Sequence, residues 1–203
     1  MRAKPANLPK KIAVLMGGPS AEREVSLATG RGISRALRSL GADVVDVDVR
    51  DAKFELPSDV EFAFIALHGT FGEDGQVQQI LEERGVAYTG EGVEGSQLAF
   101  NKIRSKEKFR KHGVRTPEWE TIGSHQRPGM QLPIVVKAPR QGSTVGVYIV
   151  KKKEELEPAI ADAAKYDDEL LIEKFVPGRE LTIGILGEQA LPILEIIPKG
   201  GSY

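Results

Sequence analysis

Lys137 closes the apolar run Pro133-Ile134-Val135-Val136 and is followed by the turn Gln141-Gly142-Ser143-Thr144-Val145-Gly146. A lysine ending a β-branched strand is costly to bury unless its ammonium reaches an anion or water. The turn behind it offers backbone N–H groups and two hydroxyls, which suit phosphate oxygens. Its order is not the G-x-x-x-x-G-K-[ST] of a P-loop. The same residues also read as a flexible hairpin with a snorkelling lysine, and residue types leave both readings open.

Two further loops carry charge. Met16-Gly17-Gly18-Pro19-Ser20-Ala21-Glu22-Arg23-Glu24 follows a strand signal and opens a helix. Such a position favours anions through free N–H groups and the helix dipole, but it lacks the dinucleotide spacing G-x-G-x-x-G. Glu22 and Glu24 either complement the helix start or present a carboxylate to a ligand ammonium. Leu67-His68-Gly69-Thr70-Phe71-Gly72-Glu73-Asp74-Gly75 follows the next apolar strand. Loops at the carboxyl ends of parallel strands are where open α/β sheets bind ligands, so Glu22 and His68 could converge there. Alternatively, His68 ends a strand and Asp74 starts a helix.

Two other stretches are weaker. The helix 101–111 carries Lys102, Arg104, Lys106, Lys108, Arg110 and Lys111; such a run reads as a solvated face, with one lysine near its start as the phosphate candidate. The stretch 171–186 places a Pro-Gly break between two apolar strands, with Glu173 and Glu180 on either side. A connector of that kind exposes backbone groups able to read an adenine edge, and a glutamate able to accept from ribose hydroxyls. It also reads as an ordinary strand end.

These residues need elements to hold them. Apolar runs at Lys11–Met16, Val44–Val49, Glu61–Leu67 and Val86–Tyr88 read as strands. Between them, Arg23–Leu40 has Val25, Ala28, Ile33, Ala36, Leu37 and Leu40 at helical spacing, and Asp74–Arg84 reads as a second helix. This rhythm predicts a parallel sheet covered by helices. Past residue 93 the pattern becomes α+β: one helix or two over Ser96–His112, then strands at Trp119–Ile122, Ile134–Lys137, Val145–Val150, Leu170–Phe175, Leu181–Leu186 and Leu191–Ile196. A helix at Lys153–Tyr166 interrupts them, and the closing residues 198–203 have loop chemistry. A domain boundary is expected near residue 93.

Composition narrows the classes. The 203 residues are 40% hydrophobic and 28% charged with a formal net charge of −1, ordinary for a globular protein and poorly suited to gripping nucleic acid or an anionic membrane electrostatically. No stacking platform accompanies the lone Trp119. With no cysteine, disulfides, thiolate catalysis and Cys-ligated metals are excluded. The basic start lacks the apolar stretch of a signal peptide, and no run reaches membrane-spanning length. A cytoplasmic location is expected.

In this order, GGPSAEREVS, ALHGTFGEDG, NKIRSK, VVKAPRQGSTVGV and IEKFVPGRELTIGIL resemble the D-alanine–D-alanine ligases, a family of the ATP-grasp superfamily. The likeness runs through nearly the whole chain from residue 11. It implies a Rossmann-like N-terminal domain over 1–93 that binds substrate, a central ATP-grasp lobe over 94–176, and the start of a C-terminal lobe over 177–203. It implies that ATP phosphorylates one D-alanine and the amine of a second attacks the acyl phosphate, giving D-alanyl-D-alanine for peptidoglycan. D-Alanine–D-lactate and D-alanine–D-serine ligases of the same fold are alternatives, as is an inactive nucleotide-binding paralogue.

Residue by residue, the resemblance implies that Glu22 holds the first substrate's ammonium, with Val25 and His68 beside it. Lys102 and Lys137 contact the ATP phosphates. Gly142, Ser143, Thr144, Val145 and Gly146 form a flap over them, Ser143 also linking to Glu22. Glu173, Lys174, Phe175 and Val176 meet adenine, and Glu180 holds the ribose. Asn101, Gln79, Gln141 and Thr144 depart from the usual aspartate, glycine, glutamate and serine. The family's mobile loop, its Mg²⁺ ligands, an arginine and an oxyanion glycine would follow Tyr203. The 203 residues alone are therefore expected not to turn over, and a homodimer is expected.

Overall fold

The computed structural model describes residues 9–197; the loop reading of 198–203 lies outside them. The chain forms two compact units. One runs to Thr116 and takes in Ala138–Val145; the other comprises Pro117–Lys137 and the chain from Gly146 onward.

The first unit is the expected parallel sheet. Its strands β1 (Lys11–Gly17), β2 (Asp43–Val49), β3 (Phe62–Ile65) and β4 (Ala87–Tyr88) lie in the order β2-β1-β3-β4, all parallel. Central β1 is buried on both faces, which is why its sequence is a continuous apolar run rather than an alternating one. Its side chains still divide with period two. Ala13 and Leu15 pack with Val77, Leu81 and Phe71, whereas Val14 and Met16 pack with Leu27, Ile33 and Leu37 of the helix α1 (Arg23–Ser39).

That helix keeps Ile33 and Leu37 against β1 as expected, but not Val25, which is 59% exposed, and the residues it buries most are Ser26, Gly30 and Ser34. The reason is close approach: a Cβ on Gly30 would lie 2.5 Å from the Met16 Cβ, so the line of closest contact carries small residues, with Leu27, Ile33 and Leu37 packing beside it. Ser34 satisfies its hydroxyl by donating to Asp46 Oδ1 at 2.6 Å.

After α2 (Gln76–Glu83) come α3 (Val93–Phe100) and α4 (Lys102–Lys111), so the 96–112 region is two helices. The break is Asn101, whose backbone is extended and whose Oδ1 accepts from the N–H groups of Ile103 at 3.0 Å and Arg104 at 3.2 Å. This is an N-cap, a task asparagine and aspartate perform equally well. The basic face of α4 is not wholly solvated: Lys106 is 3% exposed and donates to Thr116 Oγ1 at 2.6 Å.

In the second unit β5 (Trp119–Gly123), β6 (Ile134–Lys137), β7 (Val147–Val150) and β8 (Glu169–Lys174) form an antiparallel sheet in the order β5-β8-β6-β7. One face, with Ile122, Ile134, Val136, Val150, Leu170 and Ile172, packs on Ala159, Ile160 and Ala163 of α5 (Leu156–Ala163). A 3-10 turn at Lys153–Glu155 precedes α5, so the helix is shorter than Lys153–Tyr166. Of the last two expected strands, Leu181–Leu186 divides into β9 (Glu180–Thr182) and β10 (Ile185–Leu186), whereas Leu191–Ile196 shortens to β12 (Leu194–Ile196), with β11 (Gln189–Ala190) lying before it; β9 pairs with β12 and β10 with β11. Gly184 and Pro192 fall at the interruptions. Proline has no N–H to give a ladder, and Leu191 N–H closes a loop onto the Gly184 carbonyl at 2.8 Å.

Candidate functional site

The first unit gathers its charged residues at the carboxyl ends of β1 and β3. Ser26, from inside α1, accepts from Gly17 N–H at 2.8 Å and donates to the Ala66 carbonyl at 2.7 Å, joining the ends of both strands. Gly17 has φ +91°, and a Cβ there would lie 2.5 Å from both Arg23 Nη1 and Asp48 Oδ1. Arg23 pairs with Asp48 at 2.8 Å and donates to the Val49 carbonyl at 3.2 Å, and this hydrogen bond holds the Asp48 carboxyl below its ordinary range. Ser20 then links the two loops, donating to the His68 carbonyl at 2.7 Å and accepting from Glu22 N–H at 3.2 Å.

Glu22 is the N-cap residue of α1, yet its side chain does not cap the helix. Its Oε1 accepts from the Ser143 hydroxyl. Its Oε2 occupies the space where a Cβ on Gly69 would fall, 2.5 Å away, and lies 3.4 Å from the corresponding point on Gly142. A Cβ on Gly69 would therefore displace that oxygen, whereas one on Gly142 would only touch it.

The His68 loop is held rigidly. Phe71 has φ +76° with its ring buried against Phe54, edge to face at 6.4 Å. Asp74 accepts from the N–H groups of Phe71 at 2.9 Å and Gln76 at 3.1 Å, and Gln78 donates to the Gly72 carbonyl at 2.9 Å. The His68 ring lies 3.3 Å from Thr29 Oγ1 through Nε2 and 3.6 Å from Glu73 Oε1 through Nδ1. Glu73 Oε2 is also 3.9 Å from the Cβ position of Gly142. Glu73 therefore joins Glu22 and His68, a residue that sequence reasoning did not single out. Its place five positions after His68, inside the same glycine-bounded loop, was the available signal.

The glycine-serine-threonine turn belongs to this group. Lys102 N–H donates to the Pro139 carbonyl at 3.1 Å and its Nζ to the Gln141 carbonyl, so α4 and Glu22 grip the turn on either side of Gly142. Ser143 and Thr144 stand at φ +49° and +66°, and Gly146 at +66°. Positive φ is unfavourable for a β-branched residue, so the turn stores backbone strain at Thr144. The Val145 N–H closes it onto the Gly142 carbonyl at 3.0 Å.

In the second unit, Lys137 ends β6 and forms an ion pair with Glu173 of β8. Lys174 Nζ lies 3.8 Å from Glu118, Phe175 lies under Lys151 with the ammonium 6.0 Å from its ring centroid, and Val176 is exposed. Glu180 is an exposed residue of β9 opposite Ile196. Thus Glu22, His68, Lys102, Gly142 and Ser143 share one unit, and Lys137 and Glu173 touch in the other. Val25 is exposed in the first turn of α1. Among the described residues no group of three or more histidines and carboxylates is arranged to hold a metal ion.

A parallel α/β unit with glycine-rich loops at its carboxyl end, joined to an antiparallel sheet backed by a helix, defines a member of the ATP-grasp fold class. Known proteins agree. Residues 95–203 match the family profile described as "D-ala D-ala ligase C-terminus", and residues 48–91 that of "D-ala D-ala ligase N-terminus". The D-alanine–D-alanine ligase of Methylacidiphilum infernorum is 45% identical over 196 residues, covering 97% of this chain, and that of Desulforudis audaxviator is 46% identical over 207 residues, covering 96%. D-alanyl-alanine synthetase A from Vibrio cholerae superposes with a TM-score of 0.81 at 27% identity, over 94% of this chain and 69% of that one. The Bacillus anthracis D-alanine–D-alanine ligase solved with ATP superposes at 0.79 and 32%, over 93% and 66%. This chain belongs to the D-alanine–D-alanine ligase family. It spans 65% of the length of the Methylacidiphilum relative and 68% of the Desulforudis one. No helix among the described residues is long and apolar enough to cross a membrane.

Proposed function

We propose that this chain serves the ATP-dependent ligation of two D-alanines to D-alanyl-D-alanine in peptidoglycan synthesis, in the cytoplasm and as a homodimer. The observation that carries this reading is Glu22: a carboxylate that forgoes capping its own helix, accepts from a turn hydroxyl, and sets its second oxygen where any Cβ on Gly69 would collide with it. An amino-acid ammonium is the ligand such an oxygen suits, since charged hydrogen bonds are the strong ones. In this reading Glu22 binds the amine of the first D-alanine, and His68, oriented by Thr29 and Glu73, lies beside that substrate with Val25. Lys102 is a phosphate ligand, and residues Gly142 to Gly146 are the flap that excludes water. Lys137 is likewise a phosphate ligand, Glu173, Lys174, Phe175 and Val176 meet adenine, and Glu180 takes the ribose hydroxyls.

The chemistry follows from the substrates. A carboxylate is a poor electrophile until one oxygen becomes a leaving group. A carboxylate oxygen of the first D-alanine attacks the γ-phosphorus of ATP, and ADP leaves. The amine of the second attacks the resulting acyl carbon, losing a proton, and phosphate leaves with the C–O electron pair. Little covalent work falls to the protein, whose contribution is positioning and charge neutralisation. Mg²⁺ would supply further neutralisation of the phosphates. The test is phosphate release from ATP by the natural gene product with Mg²⁺ and D-alanine. Release that depends on D-alanine and falls steeply in Glu22→Gln is expected; D-alanine-independent release, or an unaffected Glu22→Gln enzyme, rejects the reading.

A further inference from the structure

A single hydroxyl touches both loops of the first unit's site. Ser20 Oγ accepts from Glu22 N–H at 3.2 Å and donates to the His68 carbonyl at 2.7 Å. A hydroxyl carries one proton and two lone pairs, so it can make both bonds at once. The first bond is cap chemistry at the entry to α1, where the Ser20 carbonyl also accepts from Arg23 N–H at 3.2 Å. The second serves no helix: it crosses to the loop that follows β3.

The carbonyl it reaches belongs to the peptide joining His68 to Gly69. Gly69 stands at φ +67°, and a glycine leaves its flanking peptides rotational freedom that any other residue would restrict. On its far side that freedom is removed by the backbone, because the Gly69 carbonyl accepts from Gly72 N–H at 3.2 Å and Glu73 N–H at 2.9 Å. On its near side Ser20 removes it. The direction of this peptide decides where the bare face of Gly69 points. It points at Glu22 Oε2, 2.5 Å from the Cβ position. The same hydroxyl therefore holds the Glu22 backbone and the surface against which the Glu22 carboxylate lies.

We infer that Ser20 is a positioning residue for the first substrate: its hydroxyl sets the spacing of the Glu22 carboxylate from the His68–Gly69 peptide, and so from the His68 ring. The inference rests on Glu22 taking the substrate amine. With the bridge in place the carboxylate is ordered before the ammonium arrives, and less freedom is lost on binding. Without it the peptide before Gly69 can turn, and the ammonium meets a carboxylate spread over several positions.

The experiment separates this role from capping. The KM and kcat for D-alanine at saturating ATP, ADP affinity by calorimetry, and thermal unfolding are measured on the natural gene product and on Ser20→Ala, Ser20→Gly and Ser20→Thr. Alanine and glycine both remove the bridge, but glycine preserves most of a cap's stability and alanine does not. Both are expected to raise KM for D-alanine by about five- to tenfold, the effect of one lost hydrogen bond, with kcat and ADP affinity nearly unchanged. Only alanine should lower Tm appreciably, and Ser20→Thr, which retains a hydroxyl, should behave as the natural protein does. If Ser20→Ala does not fold, Ser20→Gly against Ser20→Thr carries the test. An unchanged KM, a KM that rises only where Tm falls, an equal weakening of ADP, or a threonine variant as impaired as glycine overturns the positioning role. If Glu22→Gln loses D-alanine-dependent release while the Ser20 variants keep their KM, the inference fails and the proposed function stands. An unaffected Glu22→Gln enzyme removes both.

Discussion

Gly69 is the position where one added methyl group should separate folding from function. The residue has φ +67°, and its missing Cβ points at Glu22 Oε2 from 2.5 Å. Gly69→Ala therefore does two things. The left-handed backbone costs an alanine roughly 1–2 kcal/mol, which for a chain of this size lowers Tm by about 2–4 °C per kcal/mol. The carboxylate must also retreat, because 2.5 Å is closer than such atoms approach, and it cannot swing freely while Ser143 holds its other oxygen. Displacing a substrate-binding group by ~1 Å costs on the order of 10²-fold in rate. Gly85→Ala is the internal control. It has the same φ of +67°, and a Cβ there would meet nothing within 4 Å, so it carries the backbone cost without touching the carboxylate. The assays are thermal unfolding and D-alanine-dependent phosphate release at saturating ATP. The expected pattern is a modest Tm loss in both variants and a large loss in kcat/KM for D-alanine in Gly69→Ala alone. If Gly69→Ala lowers Tm but leaves kcat/KM for D-alanine intact, the carboxylate is not where the amine binds.

Two other outcomes follow from single contacts. Asn101→Ala removes the cap of α4 and should cost ~1 kcal/mol in thermal or denaturant unfolding, whereas Asn101→Asp should match the parent. The Tyr148 phenol donates to Asp162, and that bond, with burial, pushes its ionisation up to about 12. Because the folded pKa exceeds the unfolded value of about 10, this contribution to stability is complete below pH 10 and disappears as pH rises from 10 to about 12. Unfolding measured across that window should lose stability more steeply in the parent than in Tyr148→Phe; parallel curves would discount the bond.

The sheet of the first unit was readable because buried parallel strands are plain apolar runs, and those runs need no knowledge of their partners. The helices were readable in place, but only partly in extent and orientation. Hydrophobic spacing in 23–40 points at Val25, Ile33 and Leu37; the last two pack on β1, yet the residues α1 buries most are Ser26, Gly30 and Ser34. Periodicity weighs apolar bulk, and the constraint here was lack of room beside Met16. Lys106 was misplaced for a related reason: a run of cations gives no sign of which one will find a buried acceptor. The strands after residue 180 looked continuous because propensity is summed over a window, while one glycine and one proline interrupt the ladders. Among the site residues, Glu22, His68 and Ser143 lie on loops far apart in sequence, and only a resemblance of ordered motifs linked Ser143 to Glu22. The contact of Lys137 with Glu173 depends on the β6–β8 register, a nonlocal property that no single stretch contains.

The two glutamates given ligand roles are treated oppositely by the fold, and the contrast bears on what each can do. Glu173 is sealed in a sheet face against a lysine, so its charge is compensated before any ligand arrives. Glu22 is held at one oxygen by a neutral hydroxyl, with no Lys or Arg pairing with it among the described residues, and Gly69 leaves room for the other oxygen. No cation has to be displaced before an ammonium can pair with such a carboxylate. The hydroxyl that steadies it belongs to a strained turn that Lys102 also grips through the Gln141 carbonyl. An ammonium arriving at Glu22 and a phosphate arriving at Lys102 would each act on the same few residues of that turn, one beside Ser143 and the other beside Gln141. Amine and nucleotide occupancy should therefore be coupled through residues 141–143, because either ligand changes a bond that holds the turn in place.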